Sequence, residues 1–102
     1  MVASFSVIPL GVGEELKEHI AAVLQIVADS GIPYKLGAMQ TTLEGDREEV
    51  MALIMRCHAY LTEHAPRVVT HIAIDDRRGA TGRLEGKVWD VEQVLGRSLS
   101  HE

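Results

Sequence analysis

The stretch PYKLGAMQTTLE, residues 33–44, decides how this sequence of 102 residues is interpreted. Residues that favour β-structure stand on both sides of the pair Gly37-Ala38, and a glycine between two such runs is typical of a hairpin turn. We therefore predict a short β-hairpin here.

An amphipathic helix is predicted on each side of the hairpin. Apolar residues recur at spacings of three and four over residues 14–30, and again over residues 46–63, which is the period of a helix with one buried stripe. Gly31 favours the end of the first helix, because glycine accepts the left-handed conformation found after a C-cap. Asp46 and Glu49 have the spacing of a capping box, so we expect the Asp46 side chain to cap the second helix.

Two further strands complete the pattern. Residues 2–8 alternate apolar and small polar side chains and should end at Pro9, and residues 68–75 read as a second strand. The order βαββαβ predicts an α+β fold, the ferredoxin-like sandwich, with both helices on one face of an antiparallel sheet and the other face open. A third amphipathic helix is expected at the C-terminal end, and all of residues 1–102 form one domain. The apolar stripe of this C-terminal helix consists of Leu84, Val88, Val91 and Leu95.

Composition restricts the classes of partner. Fifteen acidic against ten basic side chains give a formal charge of −5, which opposes binding to nucleic acid or to anionic membranes. No apolar run reaches the roughly 18 residues of a membrane helix, and we expect a cytoplasmic location. Cys57, the one cysteine, falls on an apolar helix stripe and is expected in the core.

Catalytic and metal-binding motifs are missing from the sequence. None of the five histidines pairs with another at a metal-ligand spacing, and His19 is expected on the polar side of the first helix. No nucleophile elbow or dinucleotide fingerprint occurs. We predict no metal and no cofactor. An enzyme acting on a small metabolite, with Glu44 or Asp76 as acid–base group, remains an alternative.

The polar run in the second hairpin strand can be interpreted in two ways. If the strand is central, its side chains need hydrogen-bonding partners, which a ligand could supply. If it is an edge, the same side chains simply face water. The run consists of Gln40, Thr41, Thr42 and Glu44.

Seven segments of the chain match one known pattern: residues 6–11, 30–36, 39–45, 67–70, 74–77, 87–88 and 91–92. Taken together, these segments resemble the small thiamine-binding, YkoF-like family. The resemblance implies a ferredoxin-like protomer, dimers that pair into a homotetramer through their sheets, and binding of thiamine or its hydroxymethylpyrimidine moiety without known chemistry. The family's usual Met-Gly-Thr stands here as Met39-Gln40-Thr41.

Beside this resemblance, the chemistry of thiamine suggests a set of site residues. An aminopyrimidine and a cationic thiazolium need hydrogen-bonding groups, a carboxylate and an apolar wall. Glu44 is our choice for the group that orients the pyrimidine or faces the cation. The predicted ligand-binding residues are Ser6, Ile8, Met39, Gln40, Thr41, Thr42 and Glu44.

The leading hypothesis is therefore a non-catalytic small-molecule binding protein that forms a dimer of dimers. Ser4, Ser6 and His71 are expected near the open sheet face, where a partner sheet could approach closely. Trp89 is expected at a subunit boundary. The alternatives are the enzyme described above and an interaction module whose open sheet face binds partner chains.

Overall fold

The structure, a computed structural model, describes residues 1–78. The predicted C-terminal helix and Trp89 lie outside the described residues. The elements are β1 Val2–Leu10, a 3₁₀ turn Gly13–Glu15, α1 Leu16–Asp29, β2 Tyr34–Leu36, β3 Thr41–Glu44, α2 Arg47–Thr62 and β4 Arg67–Asp75.

The four strands form one antiparallel sheet in the order β2-β3-β1-β4. This is the strand order of the ferredoxin-like sandwich, and the predicted fold class is confirmed. β1 is central and unequally paired: β4 accompanies it from Val2 to Leu10, whereas β3 accompanies it only from Val2 to Phe5. The second half of β1 therefore has a strand neighbour on one side only within residues 1–78.

The core lies between the sheet and the two helices. Ala3, Phe5 and Val7 point from β1 toward the helices, because alternate residues of a strand face the same side. Leu43 joins them from β3, and the helices supply the rest of the buried apolar residues. These are Val23, Val27, Val50, Leu53, Ile54, Cys57 and Leu61.

The predicted end of β1 is wrong, since the strand does not stop at Ile8 before Pro9 but continues two residues further, through Leu10. Met1 and Gly45 exchange both of their main-chain hydrogen bonds, each 3.1 Å between N and O. In an antiparallel strand, alternate residues turn both their N–H and C=O groups to the same side. Odd-numbered residues of β1 therefore face the β3 side. At Pro9 that side has no strand, so the missing N–H breaks no ladder bond.

Both helix ends beside the hairpin occur where they were expected, with one difference in chemistry. α1 ends at Asp29, and Gly31 follows at φ +78° as predicted. Asp46 is the N-cap residue of α2, but its side chain makes no capping hydrogen bond, so the expected capping box is wrong. The neighbouring Arg47 instead forms an ion pair with Asp76, at the end of β4.

The open face of the sheet is mostly polar or small. Ser6 lies directly opposite His71, and Ser4 lies between Thr42 and Ala73. The prediction that Ser4, Ser6 and His71 lie on this face is confirmed. Apolar side chains are also present there, and Ile8 is 44% exposed.

Cys57 is fully buried in α2 as a free thiol. Burial raises its pKa from 9.0 to about 11, although the nearby Arg56 lowers it slightly. Because the thiolate is the reactive form, we expect the native protein to react with a chromogenic aromatic disulfide at pH 8 only as fast as the core opens. In denaturant, one thiol per chain should react at once. Rapid reaction of the folded protein would contradict this assignment.

The same pKa shift has a consequence for stability. The folded state holds the thiol proton more tightly than the unfolded state, so this contribution to stability is complete below pH 9 and is lost as pH rises toward 11.

Candidate functional site

The candidate site is a cleft of about 290 Å³ at the place where β3 ends beside β1. This volume is close to the lower limit of small-molecule pockets, which run from roughly 300 to 1,000 Å³. The middle of β1 forms the floor, α1 forms one wall, and the hairpin turn forms the other. The lining consists of Phe5, Ser6, Val7, Ile20, Val23, Leu24, Leu36, Gly37, Ala38, Met39, Gln40 and Thr41.

The hairpin turn creates this cleft by ending the β1–β3 ladder early. The amide of Gly37 donates to the carbonyl of Gln40 at 2.8 Å and closes the turn. Thr41, the neighbour of Gln40, pairs with Phe5 and is the last residue of β3 that pairs with β1. If the β1–β3 ladder continued in the same register, Met39 would pair with Val7. Met39 instead belongs to the turn and is 87% exposed, so the space beside Val7 is open.

The main chain of β1 contributes polar groups to the cleft. Val7 is an odd-numbered residue of β1, so its N–H and C=O turn away from β4 and toward the open space. No main-chain group within residues 1–78 pairs with them on that side.

Among the described residues, the lining contains no ionisable side chain. Its side-chain hydrogen-bonding groups are the hydroxyl of Thr41 and the amide of Gln40, whereas the side chain of Ser6 lies on the open sheet face. Such a surface can hold a flat, uncharged heterocycle between apolar walls and orient it with a few polar contacts. It supplies no group for acid–base chemistry at the described walls.

Four of the seven predicted site residues line the cleft: Ser6, Met39, Gln40 and Thr41. The other three, Ile8, Thr42 and Glu44, do not. Thr42 and Glu44 share the open sheet face with Ser4 because they alternate with the buried Leu43. The structure therefore brings together the start of the polar run, and leaves its end elsewhere.

The two acid–base candidates of the enzyme alternative lie away from the cleft. Glu44 pairs with Val2, at the opposite end of the β1–β3 ladder from the cleft. Asp76 follows β4 at this same end of the sheet and pairs with Arg47.

The apolar wall of the cleft was not expected from the sequence. Ile20, Val23 and Leu24 follow the apolar stripe of α1, and every such stripe predicts core packing. They line a cleft only because β3 is four residues long and leaves the space above them uncovered. In the sequence, the available signal for this short strand was the small number of residues between Gly37 and Thr41.

A cluster of rings lies between α1 and α2, outside the cleft. His19 was expected on the polar side of α1 but is only 8% exposed, which corrects that prediction. Its ring lies 5.6 Å from that of His64, which stacks on Tyr60 at 4.3 Å. Its Nε2 is 3.5 Å from a Glu15 carboxylate oxygen and has no hydrogen-bond partner within residues 1–78. No group of three or more potential metal ligands occurs in that part of the chain.

Comparison with known proteins connects this geometry to a family. Residues 3–92 match the family model described as thiamine-binding protein. An UPF0045 protein of Mycobacterium bovis is 42% identical over 96 residues, covering 93% of this chain and 94% of that protein. The UPF0045 protein YqgV of Bacillus subtilis is 33% identical over 100 residues, covering 92% and 96%.

Solved structures share the fold. A Thermotoga maritima protein provisionally assigned to thiamine biosynthesis or salvage matches with a TM-score of 0.76 and 30% identity, covering 88% of this chain and 96% of that one. A hypothetical protein of Methanocaldococcus jannaschii matches with a TM-score of 0.80 and 27% identity, covering 90% and 95%. Within residues 1–78, no helix is long and apolar enough to cross a membrane.

Proposed function

Because this chain belongs to the thiamine-binding protein family, we propose that it binds thiamine through the hydroxymethylpyrimidine half and carries out no reaction on it. The observation that supports this proposal is the cleft beside Val7, which has apolar walls and a few neutral hydrogen-bonding groups. The structure assigned to thiamine biosynthesis or salvage belongs to a protein of the same fold and 30% identity.

The absence of ionisable side chains among the described lining residues suggests how thiamine is oriented. Transfer of the thiazolium cation into a cleft without a countercharge would cost free energy that nothing there offsets. The uncharged pyrimidine should therefore enter, and the thiazolium should stay at the mouth, where the chain's net charge of −5 favours a cation. The exposed Met39 lies at this mouth and can cover the ring.

We also propose a homo-oligomer, a dimer of dimers, in the cytoplasm. The open face supports association because serines and Ala73 let a second sheet approach closely, and because Ile8 is exposed there beside Val69.

Isothermal titration calorimetry with thiamine, hydroxymethylpyrimidine and the isolated thiazole tests this proposal. Thiamine and hydroxymethylpyrimidine should bind with affinities within about tenfold of each other, or about 1.4 kcal/mol, and the thiazole should not bind. Light scattering of the same samples should give several times the 11.2 kDa of one chain. Absence of binding by both pyrimidine compounds would refute the ligand, and a mass of one chain would refute the assembly.

A pair of variants decides where the ligand lies. Gln40→Ala should weaken binding of hydroxymethylpyrimidine by about 0.5–1.5 kcal/mol, the range for a neutral hydrogen bond, because Gln40 lines the cleft. Glu44→Gln is the matched control on the same hairpin and should leave the affinity unchanged. If the sequence-based choice of Glu44 is right instead, Glu44→Gln will cost about 1.5–3 kcal/mol and Gln40→Ala will have no effect.

A further inference from the structure

The main chain of β1 presents a donor and an acceptor next to each other at the floor of the cleft, and neither pairs with a main-chain group of residues 1–78. Both belong to Val7, and they are held in position by the central strand of the sheet. On its other side, β1 is bonded to β4 along its whole length, including the pair Ser6 and His71. The Val7 groups are therefore fixed in direction before any ligand arrives.

Because of Pro9, no further main-chain N–H stands beside the N–H and C=O of Val7 on this side of β1. Pro9 is the next residue of β1 that faces the same side, and it has no N–H to offer. Phe5, the preceding one, is already paired with Thr41. Along this half of β1, the N–H of Val7 is thus the one main-chain donor that faces the cleft.

We propose that the main-chain N–H and C=O of Val7 bind the amino edge of the pyrimidine, as a neighbouring strand would. A 4-aminopyrimidine carries a ring nitrogen that accepts a hydrogen bond beside an amino group that donates one. The Val7 N–H would donate to the ring nitrogen, and the amino group would donate to the Val7 C=O. This inference rests on the proposed function and adds the groups that recognise the ligand.

The chemistry of the cleft favours this assignment over a side-chain contact. The walls of the cleft are mostly apolar side chains of α1 and the hairpin turn, and Gln40 and Thr41 are the polar side chains among them. A ligand that covered Val7 without hydrogen-bonding to it would leave a buried donor and acceptor unsatisfied, which is unfavourable. The main chain therefore selects a ligand with a complementary edge, and it does so without an ionisable group.

Amide hydrogen exchange measured by NMR on the full chain tests the inference directly. With hydroxymethylpyrimidine at 100 times its dissociation constant, exchange of the Val7 amide should slow by about 100-fold, since only the free protein then exchanges. The amide of Glu48, in the exposed first turn of α2, serves as control and should not change. A 4-oxo pyrimidine, with donor and acceptor reversed, should bind about 10- to 100-fold more weakly than the 4-amino compound.

The outcomes separate this inference from the proposed function. Binding of hydroxymethylpyrimidine with no change in exchange at Val7 would overturn the inference and leave the function standing. Absence of binding would refute the function itself. A Val7 amide that is already protected in the free protein, and loses protection on dilution, would show that a second copy of the chain pairs with this edge, which also overturns the inference.

A variant gives an independent check. Val7→Pro removes the main-chain N–H at a strand position of the same kind as Pro9 and also replaces the valine side chain. Val7→Ala shortens the side chain but keeps the N–H, so it is the control for the lost side-chain packing. Val7→Pro should lower affinity for hydroxymethylpyrimidine at least tenfold more than Val7→Ala does, a difference of about 1.4 kcal/mol. Equal losses in two folded variants would contradict the inference. If Val7→Pro does not fold, the exchange measurement decides.

Discussion

Replacing Leu43 by alanine is expected to lower the free energy of unfolding by about 2–5 kcal/mol, the range for a large buried aliphatic side chain. Leu43 is fully buried and lies in β3 between Ala3 of β1 and Tyr34 of β2. Both neighbouring strands hold it in place, so the structure can collapse into the vacated space only partly. Urea unfolding followed by far-ultraviolet circular dichroism measures the effect.

Leu16→Ala provides the matched control, because it is the same chemical change at a side chain that is 45% exposed at the start of α1. Its cost should stay below about 1 kcal/mol. Similar losses in the two variants would mean that the described core is wrong. A change in the urea dependence of Leu43→Ala, without a change in midpoint, would instead indicate an altered unfolded state.

The order and pairing of the strands could be predicted because local patterns and topology rules agree. The alternation in β1 and the two helical stripes identify the elements. The right-handed crossover then restricts the sheet to one arrangement. What the patterns could not give is where pairing stops, because the length of β3 depends on the turn that Gly37 and Gln40 close. The cleft exists because β3 is short and leaves the second half of β1 without a strand on that side.

Sequence reasoning located part of the site for a related reason. It placed ligand contacts along the polar run from Gln40 to Glu44, and strand alternation sends alternate members of such a run to opposite faces. Thr41 consequently faces the helices and the cleft, whereas Thr42 faces the open side. A main-chain group such as that of Val7 has no signature in residue type at all, since every residue except proline carries an N–H.

The histidine on α1 shows a different limit. His19 lies one position before Ile20 and four before Val23, so it borders the apolar stripe, but its residue type suggested the polar side. In the fold it packs against His64, whose ring is already stacked on Tyr60. The ring contact supplies an apolar environment for an imidazole, and only the crossing of α1 and α2 brings these residues together.

Filling the cleft should abolish binding of hydroxymethylpyrimidine. Leu24→Trp places a larger ring on the α1 wall, opposite the floor formed by Val7, in a cleft of about 290 Å³. We expect at least about a 100-fold loss of affinity, or about 2.8 kcal/mol, measured by calorimetry. Leu24 is only partly buried, so the indole can extend into the cleft instead of the core, and the free energy of unfolding should change by less than about 1 kcal/mol.

Leu16→Trp is the control for this substitution, since Leu16 lies two turns earlier on α1 and does not line the cleft. It should bind hydroxymethylpyrimidine as the parent chain does, which would exclude a general effect of an added indole on the helix. Undiminished binding by a folded Leu24→Trp protein would place the ligand outside the cleft. The open sheet face, where Glu44 lies, would then be the surface to test, because a ligand there would be independent of the α1 wall.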